Sequence, residues 1–296
     1  PAANNYVRFA LKEGLRHEQA LGANPFRYGI IASTDTHIAA PGLTAEKKHP
    51  GHGGAGMSSG AGVPTGFPDD IEFNPGGLAV VWAEENTRDA LFAAMQRREV
   101  YGTSGTRPVV RFFGGWDYPE DLCESEEFVS AGYRGGVAMG GTLPRRNPGQ
   151  SDSPRFAIWA LQDPGDAGVS GTPLQRIQVV KGWLEDGELR EVVIDVAGGK
   201  NAATVETATC ERKGTGATKL CTVWADPDFD SSEPAFYYLR VLENPSCRWS
   251  QYLCVESGVD CSQPQSIPEA LAACCSPTVP KTVQERAWTS PIWYSP

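Results

Sequence analysis

Eight cysteines constrain this chain more than any other feature, because seven of them fall between Cys210 and Cys275. An even number crowded among turn-rich segments favours a disulfide framework made in an oxidising compartment, so a periplasmic or secreted protein is expected. Zinc is the poorer reading, since no C-x-x-C occurs and no histidine follows His52. The pair expected from local sequence is Cys210 with Cys221, because CERKGTGATKLC reads as two strand ends around a glycine-rich hairpin loop.

The residues around those cysteines read as β-structure. Short alternating or apolar runs at Arg155 to Leu161, Leu174 to Leu184, Leu189 to Val196, Leu220 to Trp224 and Ala235 to Glu243 are separated by Pro, Gly and Asp clusters. That pattern predicts an antiparallel sandwich over 118–296. Asp186-Gly187 is the strongest hairpin signal in the chain. The tail from Cys274 carries Trp288 and Trp293, too aromatic for a free end, and is expected to dock back onto a domain surface. Exposed Trp183 or Trp249 could serve a glycan-binding role.

Residues 1–117 read as α/β. A helix is expected over 4–21, with Asn4 or Asn5 as cap and Gly22 as stop. A buried strand, Gly29 to Ser33, then ends in Asp35-Thr36-His37. A carboxylate and an imidazole two residues apart at a strand mouth can face one pocket, which makes Asp35 and His37 the candidate metal ligands. Gly76 to Glu84 reads as a strand buried on both faces, leading into a helix with Leu91, Phe92 and Met95 inward. Glu84 and Glu85 at that junction are candidates to orient a ligand or act as a base, or else they bond helix-start amides. In VYGTSGTRP, Thr103, Ser104 and Arg107 are the candidate substrate contacts, able to hold an oxyanion or phosphate; a structural turn is the equal alternative. Ser104 does not sit in a G-x-S-x-G elbow, so it is not read as a nucleophile. The glycine-rich stretch 43–75 is expected to be a lid. Its His49 and His52 could add ligands but read more readily as solvated, and Asp69-Asp70 reads as a loop acid pair.

The segments STDTHIAAPG, GGLAVVWAEENTRDALFAAMQRREVYGTSGTRPVVRFFGGW and QERAWTSPIWYSP resemble the C-terminal half of the DUF3604 family, large bacterial proteins of uncharacterised function. The N-terminal part of that family is similar to the PHP (polymerase and histidinol phosphatase) metallohydrolases and to a carbaryl-hydrolase-like group. The resemblance implies an α/β fold: the C-terminal part of a PHP-like (β/α) barrel over 1–117, followed by the antiparallel sandwich. It also implies that Asp35 and His37 match the last metal motif, D-x-H. The earlier H-x-H and further ligands have no counterpart here, so the remainder of the barrel would come from upstream residues, and the start at Pro1 fits a fragment or processed product.

A formal net charge of −10 without a basic cluster argues against nucleic-acid or anionic-membrane partners. No apolar run approaches the length of a membrane span. The function expected is hydrolysis of a small-molecule ester or phosphoester by a divalent metal ion, zinc, manganese or iron, with metal-activated water as nucleophile. The rival is a secreted, non-catalytic binding protein.

Overall fold

The structure is a computed structural model that describes residue 4 and residues 6–54, 63–165 and 170–296. Residues 55–62 of the expected lid lie outside the described residues.

Helix α1 (Val7–Leu21) forms where its spacing predicts, with Leu11 and Leu15 buried. It starts at Tyr6 rather than at an asparagine, with no side-chain cap. It stops at Gly22, whose φ of 72° is the left-handed geometry that glycine adopts freely. The other α-helices among the described residues are short: α2 (Arg88–Gln96), α3 (Phe128–Gly135) and α4 (Trp249–Glu256).

The strands in chain order are β1 (Leu78–Val81), β2 (Val100–Thr103), β3 (Val109–Gly115), β4 (Gly136–Ala138), β5 (Arg155–Leu161), β6 (Leu174–Glu185) and β7 (Glu188–Gly198). They continue with β8 (Thr204–Glu206), β9 (Glu211–Lys213), β10 (Lys219–Ala225), β11 (Ala235–Glu243), β12 (Ser246–Cys247), β13 (Thr282–Val283), β14 (Arg286–Thr289) and β15 (Ile292–Tyr294). A seven-stranded sheet runs β1-β2-β14-β11-β6-β7, with β15 also on β11, and a four-stranded sheet runs β10-β5-β3-β4. All their pairings are antiparallel.

Side-chain alternation assembles the layers. Ile177, Val179, Tyr237 and Leu239 meet Val110, Phe112, Phe156 and Ile158 in the core between the sheets. The opposite faces of β6 and β11 present Val180, Phe236 and Tyr238 to Leu11 and Leu15 of α1. Those of β3 and β5 present Phe113 and Ala157 to Leu122 and Phe128. The sandwich therefore carries a helix on each outer face.

This overturns the α/β class with a partial PHP-like (β/α) barrel over 1–117. The strand-helix-strand pattern at 78–103 is real, and Thr87 caps α2 by accepting from the Ala90 amide. But α2 returns the chain beside its own strand, so β1 and β2 pair antiparallel, Leu78 opposite Thr103. A parallel crossover would have carried β2 on in the same direction. The helix is also only half committed to the core: Ala94 is buried, while Phe92 and Met95 are 58% and 48% exposed. Among the described residues no closed barrel forms. β3, just before residue 117, is a central strand of the smaller sheet.

Gly29–Ser33, expected as a strand, has no regular secondary structure. It lies across β2, where the Gly77 amide bonds Ser33 O (2.8 Å) and the Ile30 amide bonds Ser290 Oγ (2.9 Å). A Cβ on Gly102 would stand 2.9 Å from the Ala32 nitrogen. Gly102→Ala is therefore expected to cost roughly 1–3 kcal/mol through overpacking; urea unfolding checks it, and a cost near zero would mean the segment does not press on β2.

At the other end of the chain the tail does more than dock. β14 enters the main sheet between β2 and β11, and Ile292 and Trp293 are buried. The hairpin at Asp186-Gly187 forms as expected, both residues at positive φ (50° and 79°).

Four disulfides join Cys123–Cys221, Cys210–Cys247, Cys254–Cys274 and Cys261–Cys275. The expected Cys210–Cys221 bridge is absent because its two strands are not a hairpin: β9 pairs with β8, and β10 belongs to the four-stranded sheet. No helix among the described residues is long and apolar enough to cross a membrane.

Candidate metal centre

The 43–54 segment folds tightly around backbone turns. Lys48, Gly51, Gly53 and Gly54 all sit at positive φ, and a Cβ on Gly51 would stand 2.3 Å from Pro68 O. Glycine at 51 lets the two segments touch, and the next residues, His52 and Asp69, meet as a result. His49 Nε2 lies 3.4 Å from Asp69 Oδ2, the His52 amide bonds the same oxygen at 3.1 Å, and His52 Nδ1 contacts it as well. One ligand atom from each of His49, His52 and Asp69 falls within 4.8 Å of the others, a group able to hold a metal ion.

Aromatic side chains wall this group. Trp249 tilts over His49 with ring centroids 5.3 Å apart, and Phe73 stands edge-on to His52 at 5.9 Å. Phe73 O accepts from Arg248 Nη2 and from Trp249 Nε1 (2.8 Å), fixing the wall. Trp249 is in turn held by a small core with Phe67, Cys254 and Cys274.

The protonation states suit metal ligation. Burial lowers the His49 pKa, against the pull of Asp69, so the imidazole is neutral. Burial works to raise Asp69, but hydrogen bonds from the His52 ring, the Asp70 amide and the His52 amide overcome it and hold the carboxylate ionised below its usual range. Neutral imidazoles and an ionised carboxylate are the forms a divalent cation binds. The fit is geometric too. Asp69 is fully buried, and its Oδ2 faces two ring nitrogens and an amide at once, more than its lone pairs serve. A cation held by these three side chains would also offset the buried negative charge of Asp69.

The predicted pair Asp35 and His37 lies next door. Both are exposed and line an open cleft of about 430 Å³ with Ser33, Thr34, His52, Glu72 and Asn74. The His37 amide bonds His52 O (2.7 Å), tying the D-x-H stretch to the histidine loop, and Asp35 itself has φ 54°, an uncommon conformation for a non-glycine residue. The remaining candidates are elsewhere. Glu84 and Glu85 are exposed past the end of β1, whereas Gly76, before β1, lines the cleft. Glu84 instead borders a separate cleft with Trp82 and Arg111, and Glu85 accepts from Thr87 Oγ1 (3.0 Å). Thr103 is buried, and the Ser104 hydroxyl is taken by Glu285 and by the Arg286 backbone. Arg107 donates its amide to Asp163 (2.7 Å) and its guanidinium to Gly42 O (3.3 Å). Trp249 is buried and Trp183 half-buried.

Sequence reasoning undervalued His49, His52 and Asp69 because a histidine pair in a glycine-rich stretch resembles a solvated loop. The signal was H-P-G-H, a tight turn that puts both imidazoles on one side. Their carboxylate partner, seventeen residues past His52, carries no local mark.

No curated protein and no solved structure matches the chain. A family match covers residues 1–296, the whole chain rather than its two ends, and brings no link to the PHP-type enzymes. The chain belongs to the family described as Protein of unknown function (DUF3604).

Proposed function

We propose that this protein is a divalent-metal-dependent hydrolase of small-molecule esters or phosphoesters, with His49, His52 and Asp69 as its metal ligands. The observation that carries the reading is the convergence of these three side chains behind a cleft that His52 lines together with Asp35 and His37. His49, His52 and Asp69 would hold a divalent ion whose chemistry there would be to lower the pKa of a water and to polarise the ester. Trp249 and Phe73 hold the imidazole planes, and the buried Trp249 shields His49 from solvent. Asp35, His37 and Glu72 offer the cleft side polar groups to position substrate. Mixed nitrogen and oxygen ligation admits zinc, manganese or iron. Four disulfides support a periplasmic or secreted location.

Elemental analysis of the protein as purified, and after incubation with zinc or manganese, tests the reading. About one equivalent is expected to be retained in the unmodified protein. In His49→Ala/His52→Ala the affinity should fall by more than the ~10–100-fold that loss of an outer-shell partner costs. Asp35→Ala/His37→Ala should keep the metal and lose turnover of p-nitrophenyl ester or phosphate. Absence of binding under all conditions would sink the proposal. Metal lost only in the Asp35/His37 variant would move the ligand set to that pair.

A further inference from the structure

We propose that Glu46 and Glu285 share one proton and form a pH-operated latch: protonated, the pair fastens the 43–54 segment to α4 and to the start of β14; fully ionised, it lets the segment go. Glu46 Oε2 accepts the Trp249 amide, while its other oxygen is buried without a donor partner. Beside it stands Glu285, 4% exposed, whose Oε2 is held by the Ser104 hydroxyl. Among the described residues no lysine, arginine or histidine nitrogen lies within 4.0 Å of either carboxylate. Two adjacent buried carboxylates without a counter-cation cannot both stay ionised, whereas one proton between them satisfies the orphaned oxygen.

The surroundings do not rescue the doubly charged state. Arg248, ahead of α4, lowers Glu46, and Arg286 lowers Glu285, each only as a smaller influence. Glu243 on β11, fully buried with both oxygens unpartnered, and Tyr252 on α4 are the other titratable neighbours, and neither supplies positive charge. Burial first, then the neighbouring Glu285, pushes Glu46 up to about 8, and burial raises Glu285. An acid whose folded pKa is raised stabilises fully below its unfolded pKa, and that contribution is lost as pH rises through the folded value, here about 8. Neither glutamate lines the cleft at Asp35 and His37, so the proton serves a mechanical role. Trp249, whose amide Glu46 holds, packs on His49, so release would loosen the histidine wall. This last consequence alone rests on the proposed metal site.

Amide hydrogen exchange between pH 6 and pH 10 tests the latch, with rates corrected for intrinsic chemistry, on protein as purified and again after dialysis against chelator. Protection of residues 44–54 and of the Trp249 amide should fall by up to about tenfold per pH unit from pH 6 to about pH 8, the slope of one proton, and level off above that. Glu46→Gln donates its amide to Glu285 without adding charge and should keep protection flat to pH 10; Glu285→Gln gives an independent check. Protection independent of pH in the unmodified protein would overturn the latch, as would the same fall in both glutamine variants. Failure of either variant to fold leaves the unmodified protein's pH profile as the decisive measurement. The chelator-treated sample separates this result from metal binding.

Discussion

Lys181→Met is expected to destabilise the protein by about 3–5 kcal/mol, because it strands the buried Asp226 carboxylate, just past the end of β10, without its partner. Lys181 on β6 is 4% exposed and Asp226 is 1% exposed, and their atoms meet at 2.6 Å. The ammonium also bonds Asp228 O (2.7 Å), and Asp226 accepts from the Tyr237 hydroxyl (2.7 Å) and the Asp228 amide (3.1 Å). Every group in the cluster is answered, so the pair itself adds little net stability, but removing one member leaves the other desolvated and unpaired. Denaturant unfolding should show the loss, and Lys181→Met/Asp226→Asn should lose clearly less than the single change, since the uncompensated charge is gone. A single variant within about 1 kcal/mol of the parent would mean that Asp226 reaches water or a proton at little cost.

That cluster shows what could and could not be read from sequence. The strands carrying it were legible: Ala235–Glu243 and Leu174–Glu185 forecast themselves through apolar content and the Asp-Gly turn. Which strand lies beside which was not, because pairing depends on contacts far apart in the chain. β14 inserts next to β2 across more than 180 residues, with the Ser104 amide bonding Arg286 O (2.9 Å). The same limit produced the α/β reading of residues 1–117, since a strand, a helix and a strand read identically whether the second strand crosses over or returns; the barrel itself came from the family resemblance. It also explains the centre: Asp35-Thr36-His37 announced itself by adjacency, whereas His49 and His52 acquire a carboxylate only when Pro68 packs on Gly51. Local pattern found the cleft and missed the histidine–aspartate group behind it, of which His52 alone reaches the cleft.

The disulfides separate global stability from the integrity of that wall. Cys123 lies in the turn Glu120–Glu124 after β3, and Cys221 lies on β10 at the edge of the smaller sheet, 98 residues away. Restraining a loop of that length takes about 4.7 kcal/mol of chain entropy from the unfolded state, against about 3 kcal/mol for a loop near the 14-residue separation of Cys261 and Cys275. Cys123→Ser/Cys221→Ser is therefore expected to lower the unfolding free energy by roughly 4 kcal/mol while leaving metal content unchanged, because that bridge packs against the cluster of Phe113, Leu122, Phe128 and Ala157 rather than against the histidines. Cys254→Ser/Cys274→Ser should do the opposite in proportion: a smaller global loss, and weaker metal retention, because that bridge sits in the small core that holds Trp249 against His49. Guanidinium titrations paired with elemental analysis on both variants measure the two effects together. Equal metal loss in both would show that the centre simply follows global stability, and loss confined to the second shows that the Trp249 wall governs the centre directly.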